Sequence, residues 1–491
     1  MKYISTRGAV SDNACSAHVI KTGLAPDGGL FMPERIPSVT LDEIAAMSCD
    51  SYPVRVAKVL SKYLTDYTYD ELLKDAEDAY SSFFDFPAKV TPLGEDYMLE
   101  LWHGPTCAFK DMALQIMPRL FSRALEKCHE NRTAMILVAT SGDTGKAALE
   151  GYKNIPGIKI KVFYPTDGVS RVQKLQMQTQ TGDNVSVTGI EGNFDDAQNG
   201  VKEIFSDPDM SACLDNENIF LSSANSINWG RLVPQIVYYI SAYCDIVRNG
   251  GIKLGDAIDV CVPTGNFGNI FACYIAKKMG LPIGKLICAS NSNDVLTEFF
   301  NSGVYDRNRP FHATMSPSMD ILISSNLERL LYVTLGADKT ARYMSQLTKD
   351  GRYELTDEDR QLICADFVAY SSNEDETART IKLIYEKENC LIDTHTAVAV
   401  SATGKYKDTN KAERRILTVS TASAYKFAKD VYKALTDTEL SDDLQALSML
   451  NSLTSVEIPT PLSDIGSRKI LHGQSIAKQL MKNSVREFAK E

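Results

Sequence analysis

Four loops in the 491-residue sequence combine chemically active residue types with the glycines and helix starts that would position them. In HGPTCAFKDMALQ (103–115), Lys110 stands where a Gly-Pro-Thr turn gives way to a helical pattern, between Phe109 and Asp111. A lysine at a helix N-terminus in apolar company has its ammonium form disfavoured by dipole and desolvation, which makes it a nucleophile toward an aldehyde. The same pattern also suits a surface lysine that keeps its charge in water. In ATSGDTGKAALEGY (139–152), Ser141, Asp143 and Thr144, with Gly142 and Gly145, form a strand-to-helix turn. Its amides and hydroxyls suit a carboxylate or phosphate; a plain N-cap at Asp143 or Thr144 is the alternative. The nucleotide-loop spacing G-x-x-x-x-G-K-[ST] is absent, because the run from Gly142 to Lys146 is too short and Ala147 follows it.

The third loop is CVPTGNFGNIFA (261–272), where Gly265 and Gly268 let the backbone approach a ligand and a helix start supplies amides. It contains no lysine or arginine, so an anion bound there would be neutralised by amides and the helix dipole; a tight turn with no ligand reads equally well. The fourth is TVSTASAYKF (418–427), where Ser420 and Thr421 end a strand, placed either to meet a ring nitrogen or to cap the next helix.

The elements around these loops alternate. Extended YMLEL (97–101) is followed by a helical pattern over 110–128. Strands are predicted at 133–140, 158–165, 184–190, 257–263, 286–289 and 413–421, and helices at 194–205, 227–247 and 267–279. Residues 291–387 read as mostly helical. Apolar strands alternating with helices predict parallel sheets covered on both faces, with ligands outside the carboxyl ends of the strands. Residues 1–95 have a different, turn-rich and then helical texture and read as a separate N-terminal unit. Residues 96–435 form the alternating catalytic region, in two subdomains with the site between them. Residues 436–491 read as a polar tail packing on that region.

Composition narrows the chemistry. The net charge of −11, with no basic block, is a poor match for nucleic acid. No apolar run approaches the ~20 residues of a membrane-spanning helix, and the N-terminus MKYISTRGAV shows no secretory pattern. Eleven cysteines occur without any Cys-x-x-Cys, and six histidines without His-Glu-x-x-His, so neither a disulfide framework nor a local metal site is expected. Scattered thiols fit a reducing cytoplasm.

In their order and spacing, YISTRG (3–8), GLAPDGGLFMPE (23–34), HGPTCAFKD, ATSGDTG, SANSINWGRL (223–232), PTGNFGN (263–269) and STASAYKFA (420–428) resemble the pyridoxal-phosphate-dependent threonine synthases, in the long-chain form of many bacteria and fungi. The resemblance implies an α/β fold of the tryptophan-synthase-β type (fold type II), with parallel sheets flanked by helices and an added, largely helical N-terminal domain. It implies that Lys110 carries pyridoxal 5'-phosphate, that Gly265, Asn266, Phe267, Gly268 and Asn269 hold its phosphate, and that Thr421 meets its ring nitrogen. Ser141, Asp143 and Thr144 then occupy the substrate-carboxylate loop. Arg231 and Arg7 become candidate cations for the substrate phosphate, with Asn225, Ser226 and Asn228 adding hydrogen bonds. His103 is read as either a supporting or a structural histidine, and Asp111 as a helix N-terminal charge. The implied reaction turns O-phospho-L-homoserine and water into L-threonine and phosphate, in a cytoplasmic monomer with no metal. The alternatives are a phospho-lyase releasing 2-oxobutyrate and a non-catalytic cofactor-binding homologue. Two departures stand out. Cys107 replaces a frequent leucine, and Thr421 is followed by Ala-Ser-Ala-Tyr-Lys-Phe rather than Ala-His-Pro-Ala-Lys-Phe.

Overall fold

The computed structural model describes residues 1–9, 14–140 and 142–491. A short antiparallel pair, β1 (Tyr3–Ser5) and β2 (Phe31–Pro33), precedes helices Leu41–Met47, Tyr52–Leu60 and Tyr69–Tyr80. The strands that follow are β3 (Lys89–Leu93), β4 (Asp96–Glu100), β5 (Thr133–Ala139), β6 (Ile158–Pro165), β7 (Val185–Glu191), β8 (Ile219–Ser222), β9 (Ile258–Pro263) and β10 (Ile283–Ser290). Next come β11 (Val304–Asp306), β12 (Arg352–Glu354), β13 (Phe367–Ser371), β14 (Ile416–Ser420) and β15 (Ser475–Ala477).

Two sheets carry the molecule. One runs β15-β7-β6-β5-β8, and every neighbouring pair in it is parallel. The other runs β13-β10-β9-β14-β4-β3, parallel except for the antiparallel edge strand β3. β5, β6 and β9 are buried on both faces; in β5 (TAMILVA) this leaves a continuous apolar run, while β6 and β9 also carry charged residues, Lys159 and Lys161 in the one and Asp259 in the other. Helix Trp229–Arg248 is buried from Trp229 to Ile246, as its nearly all-round apolar surface demands. It packs on helices Tyr52–Leu60 and Gly268–Met279, and Arg55 pins the N-terminal helices to it through Asp245 at 2.8 Å.

Three elements depart from the sequence reading. The helix expected over 110–128 is two, Asp111–Leu114 and Met117–Lys127, with Pro118 in the first turn of the second. The larger sheet begins at Lys89, inside the stretch assigned to the N-terminal unit, because β3 folds back on β4. The region 291–387 contains the β11–β12 pair and edge strand β13. In the tail, β15 extends the smaller sheet, and Met481, Val485 and Phe488 pack with Met135, Leu137 and Phe163.

Two helices near Lys110 approach closely at one glycine. A Cβ on Gly151, in helix Asp143–Tyr152, would lie 1.8 Å from the carbonyl oxygen of Leu114, the last residue of the helix that follows Lys110. That oxygen is backbone and cannot swing aside. Gly151→Ala is expected to cost about 3 kcal/mol of stability, measured as a lower urea midpoint at unchanged m-value.

Candidate active site

The loops leaving the carboxyl ends of β4, β5, β9 and β14 lead to Lys110, to Asp143 and Thr144, to residues 265–269 and to Thr421, as a parallel sheet requires, while residues 225–231 follow β8 and Arg7 follows β1. The Lys110 segment is fastened along the loop after β14. The Phe109 amide donates to the Thr421 carbonyl (2.7 Å), the Ser423 amide donates to the Cys107 carbonyl (3.1 Å), and Ala108 bridges Ala422. Asp111 is buried and accepts from the Thr106 amide and hydroxyl, both at 2.8 Å, and from Gln115. Burial pushes its carboxyl up to about 6 against the pull of those bonds. Asp111 braces the turn before Lys110 and is turned away from chemistry.

Lys110 Nζ lies 3.4 Å from Ser318 Oγ and 3.9 Å from Asp143 Oδ2. Burial pushes its ammonium down to about 8; Asp143 opposes the fall, while Lys426 and Arg231 add to it. Asp143 opens helix Asp143–Tyr152. Its Oδ1 accepts from Lys426 Nζ (2.6 Å) and Gln173 Nε2 (2.9 Å), and its Oδ2 accepts from Ser318 Oγ (3.2 Å). Burial alone would raise its proton affinity, but Lys426 and then Lys110 reverse the sign and hold the carboxyl well below the usual carboxylate range. Asp143 therefore faces cations, and its side chain is no receptor for a substrate carboxylate. The amides of Asp143 and Thr144 open the helix, a position that leaves amides without intrahelical partners. Ser141 lies outside the described residues.

The glycine loop after β9 is held from outside. Gly265 O accepts from the Ser324 hydroxyl (2.7 Å), and Asn266 O accepts from the Asn326 amide (3.1 Å) and side chain (3.0 Å). Phe267 takes a left-handed conformation (φ 63°) and buries its ring against Phe300 and Phe367. That turn sends the chain into helix Gly268–Met279. A Cβ on Gly265 would come within 2.8 Å of the Ser318 carbonyl oxygen. Asn269 Oδ1 accepts from Tyr238 (2.5 Å) and Tyr239 (2.6 Å), leaving its buried Nδ2 without a partner among the described residues.

On the opposite side, Arg231 is buried in helix Trp229–Arg248. Its Nη1 donates to the Ala224 carbonyl (2.9 Å), its Nε has no partner among the described residues, and burial pushes it down to about 10. Ser226 bonds Asn225 Oδ1 (3.2 Å), and Asn228 caps the helix at the Gly230 amide and donates to Ile20 O (2.8 Å each). Asn228 is thus committed to the fold. Arg7 differs from the expectation: Glu328 holds its guanidinium bidentately (2.8 and 2.9 Å), so its charge is spent. His103 bonds Glu100 (2.7 Å) and stacks on Trp102, a structural histidine.

Residues 93–422 match the family described as Pyridoxal-phosphate dependent enzyme, residues 2–80 match Threonine synthase N terminus, and residues 396–458 match Threonine synthase, C-terminal. The chain is 37% identical to threonine synthase of Schizosaccharomyces pombe, over 89% of each protein. The chain belongs to the threonine synthase family. The solved PLP-bound threonine synthase of Brucella melitensis superposes with a TM-score of 0.89 at 35% identity, covering 100% of both chains. The yeast threonine synthase structure gives 0.89 at 33%, covering 100% of this chain and 99% of that one. Human threonine synthase-like 1 is 40% identical over 92% of this chain, which spans 63% of the human protein's length.

The residues fit the family's cofactor. Lys110 offers a desolvated amine, and the 265–269 loop offers an uncharged helix start with an orphan donor at Asn269. Thr421 is buried one residue beyond β14. Sequence reasoning missed Lys426, Ser318, Gln173 and the pair Asp393–His395. In that pair His395 Nδ1 meets Asp393 (2.9 Å), while Nε2 accepts from the Ser318 amide (3.1 Å) and so fixes the turn beside Lys110. Lys426 carried a signal: like Lys110, it follows an aromatic residue in apolar company (Tyr425, Phe427, Ala428).

Proposed function

We propose that this chain is a threonine synthase, converting O-phospho-L-homoserine and water to L-threonine and phosphate. The observation that carries the reading is the Lys110 amine, buried where the loops converge and lowered to about 8. Pyridoxal phosphate, when bound, supplies a sink for the negative charge that develops at the substrate's α-carbon. Residues 265–269 would hold its phosphate, and the neutral Thr421 hydroxyl would face its ring nitrogen. Once free, Lys110 takes the proton from Cα and moves protons at Cβ, within reach of the pH at which it is half protonated. The start of helix Asp143–Tyr152 holds the substrate carboxylate through the amides of Asp143 and Thr144. Arg231 neutralises the substrate phosphate and then the departing one, with Asn225 and Ser226 beside it. As phosphate leaves Cγ that carbon gains a proton and becomes the methyl group, hydroxide from water takes the place of one proton on Cβ, the other proton of that water goes to the departing phosphate, and Cα regains its proton, so no external oxidant or reductant is required. The eleven cysteines are all unpaired, which suits a reducing compartment and the cytoplasmic location expected from the sequence.

With added pyridoxal phosphate, the protein is expected to release threonine and inorganic phosphate from O-phospho-L-homoserine in equal amounts. Release of 2-oxobutyrate in place of threonine would reduce the activity to elimination. Full cofactor occupancy with background turnover would leave a binding protein.

A further inference from the structure

Lys426 has a fully buried side chain, and among the described residues its ammonium bonds Asp143 Oδ1 (2.6 Å) and the Thr106 carbonyl (2.9 Å). The second oxygen of the same carboxylate stands 3.9 Å from Lys110 Nζ, and Ser318 Oγ bonds to both groups. One buried carboxylate thus lies between two lysines, Lys426 fully buried and Lys110 largely so. Two ammonium ions with one anion leave a surplus charge, and the cheapest relief is for one lysine to release its proton. The shorter ionic contact and the extra carbonyl acceptor both belong to Lys426, so the Asp143 carboxylate is engaged by Lys426 ahead of Lys110.

The other groups around Lys110 do not change this outcome. Arg231 adds a third positive charge. Asp111, on Lys110's own segment, is turned to Thr106 and Gln115. His395 meets the Ser318 amide with its accepting nitrogen.

We propose that Lys426 is a positioning residue that claims the Asp143 carboxylate and thereby leaves Lys110 as the free amine of the site. The proposal rests on the reading of Lys110 as the cofactor lysine, but its test does not use the cofactor. On the full-length, cofactor-free protein, competitive acylation followed by peptide mass spectrometry across a pH series reads the midpoint of Lys110 directly. The wild type is expected to show half-labelling at about pH 8.

Lys426→Met frees Asp143 to pair with Lys110 and removes a repelling charge. Its Lys110 midpoint is expected to rise by a unit or more, a ~10-fold drop in labelling at neutral pH. Asp143→Asn is expected to move the midpoint the opposite way, below that of the wild type, and Lys426→Arg to restore it. Midpoints that stay put, or that move in the same direction in Lys426→Met and Asp143→Asn, overturn the proposal even if both variants melt earlier. Should Lys426→Met fail to fold, a fall in Asp143→Asn together with a wild-type midpoint in Lys426→Arg is still required, and a rise in Asp143→Asn refutes it.

Discussion

Lys110→Ala is expected to lower threonine formation by at least ~10³-fold and to abolish covalent retention of pyridoxal phosphate, while the chain stays folded. The expectation rests on a comparison among three buried lysines near the loops. Lys146 is held by Glu150 at 3.0 Å, and Lys426 by Asp143 at 2.6 Å. Lys110 stands 3.9 Å from its nearest carboxylate and burial draws it down to about 8; burial lowers Lys146 as well, but there Glu150 opposes it from a short ion pair. An amine that is part free base near neutral pH attacks an aldehyde, whereas one locked in a short ion pair does not. Borohydride reduction of the loaded wild type should therefore leave the cofactor's mass on the peptide bearing Lys110 and on no peptide of the variant. A modified Lys426 or Lys146 would transfer the role and refute the assignment. The fold should survive, because Phe109 and Asp111 fasten this segment through the Thr421 carbonyl and Thr106 and the lysine side chain takes no part.

What the sequence made legible follows from how local each signal is. β5 announces itself because its five consecutive buried residues, Ala134 to Val138, leave an apolar run that no loop would carry, and β6 because β-formers alternate with lysine before the apolar Val162, Phe163 and Tyr164. β8 and β13 are four and five residues long with mixed burial, and nothing local separates them from helix ends; their pairing with β5 and β10 is what makes them strands. The site divides the same way. Lys110 and the 265–269 loop are readable because turn, glycine and helix start lie within a few residues of one another. Ser318 is 208 residues from Lys110, and its arrival depends on a turn held by His395 from a third region. Arg7 was readable as a cation but not as a spent one, because Glu328 lies 321 residues away. Burial is likewise a tertiary property, and it is burial that separates Lys110 and Arg231 from surface cations of the same type.

Arg231→Met should lower kcat/KM for O-phospho-L-homoserine by ~10²-fold, about 3 kcal/mol, with cofactor content unchanged. The guanidinium is buried, bonds one carbonyl through Nη1, leaves Nε unpartnered among the described residues, and is pushed down to about 10 by the loss of water. A buried cation with so little compensation weakens the empty fold. An isosteric apolar side chain removes that cost, so the cofactor-free variant is expected to melt at a higher temperature than the wild type. A ligand that brings two negative charges to the same place reverses the balance. Inorganic phosphate should raise the melting temperature of the wild type with concentration, as binding to the folded state alone requires, and leave the variant unmoved. A residue with a purely structural role would give the opposite pair of results, a lower melting temperature with phosphate stabilisation intact. Loss of cofactor with the substrate KM preserved would instead place Arg231 on the phosphate of pyridoxal phosphate. Because the guanidinium also opposes protonation of Lys110, the variant should need a higher pH for half-labelling of that lysine, linking the substrate cation to the reacting amine through charge alone.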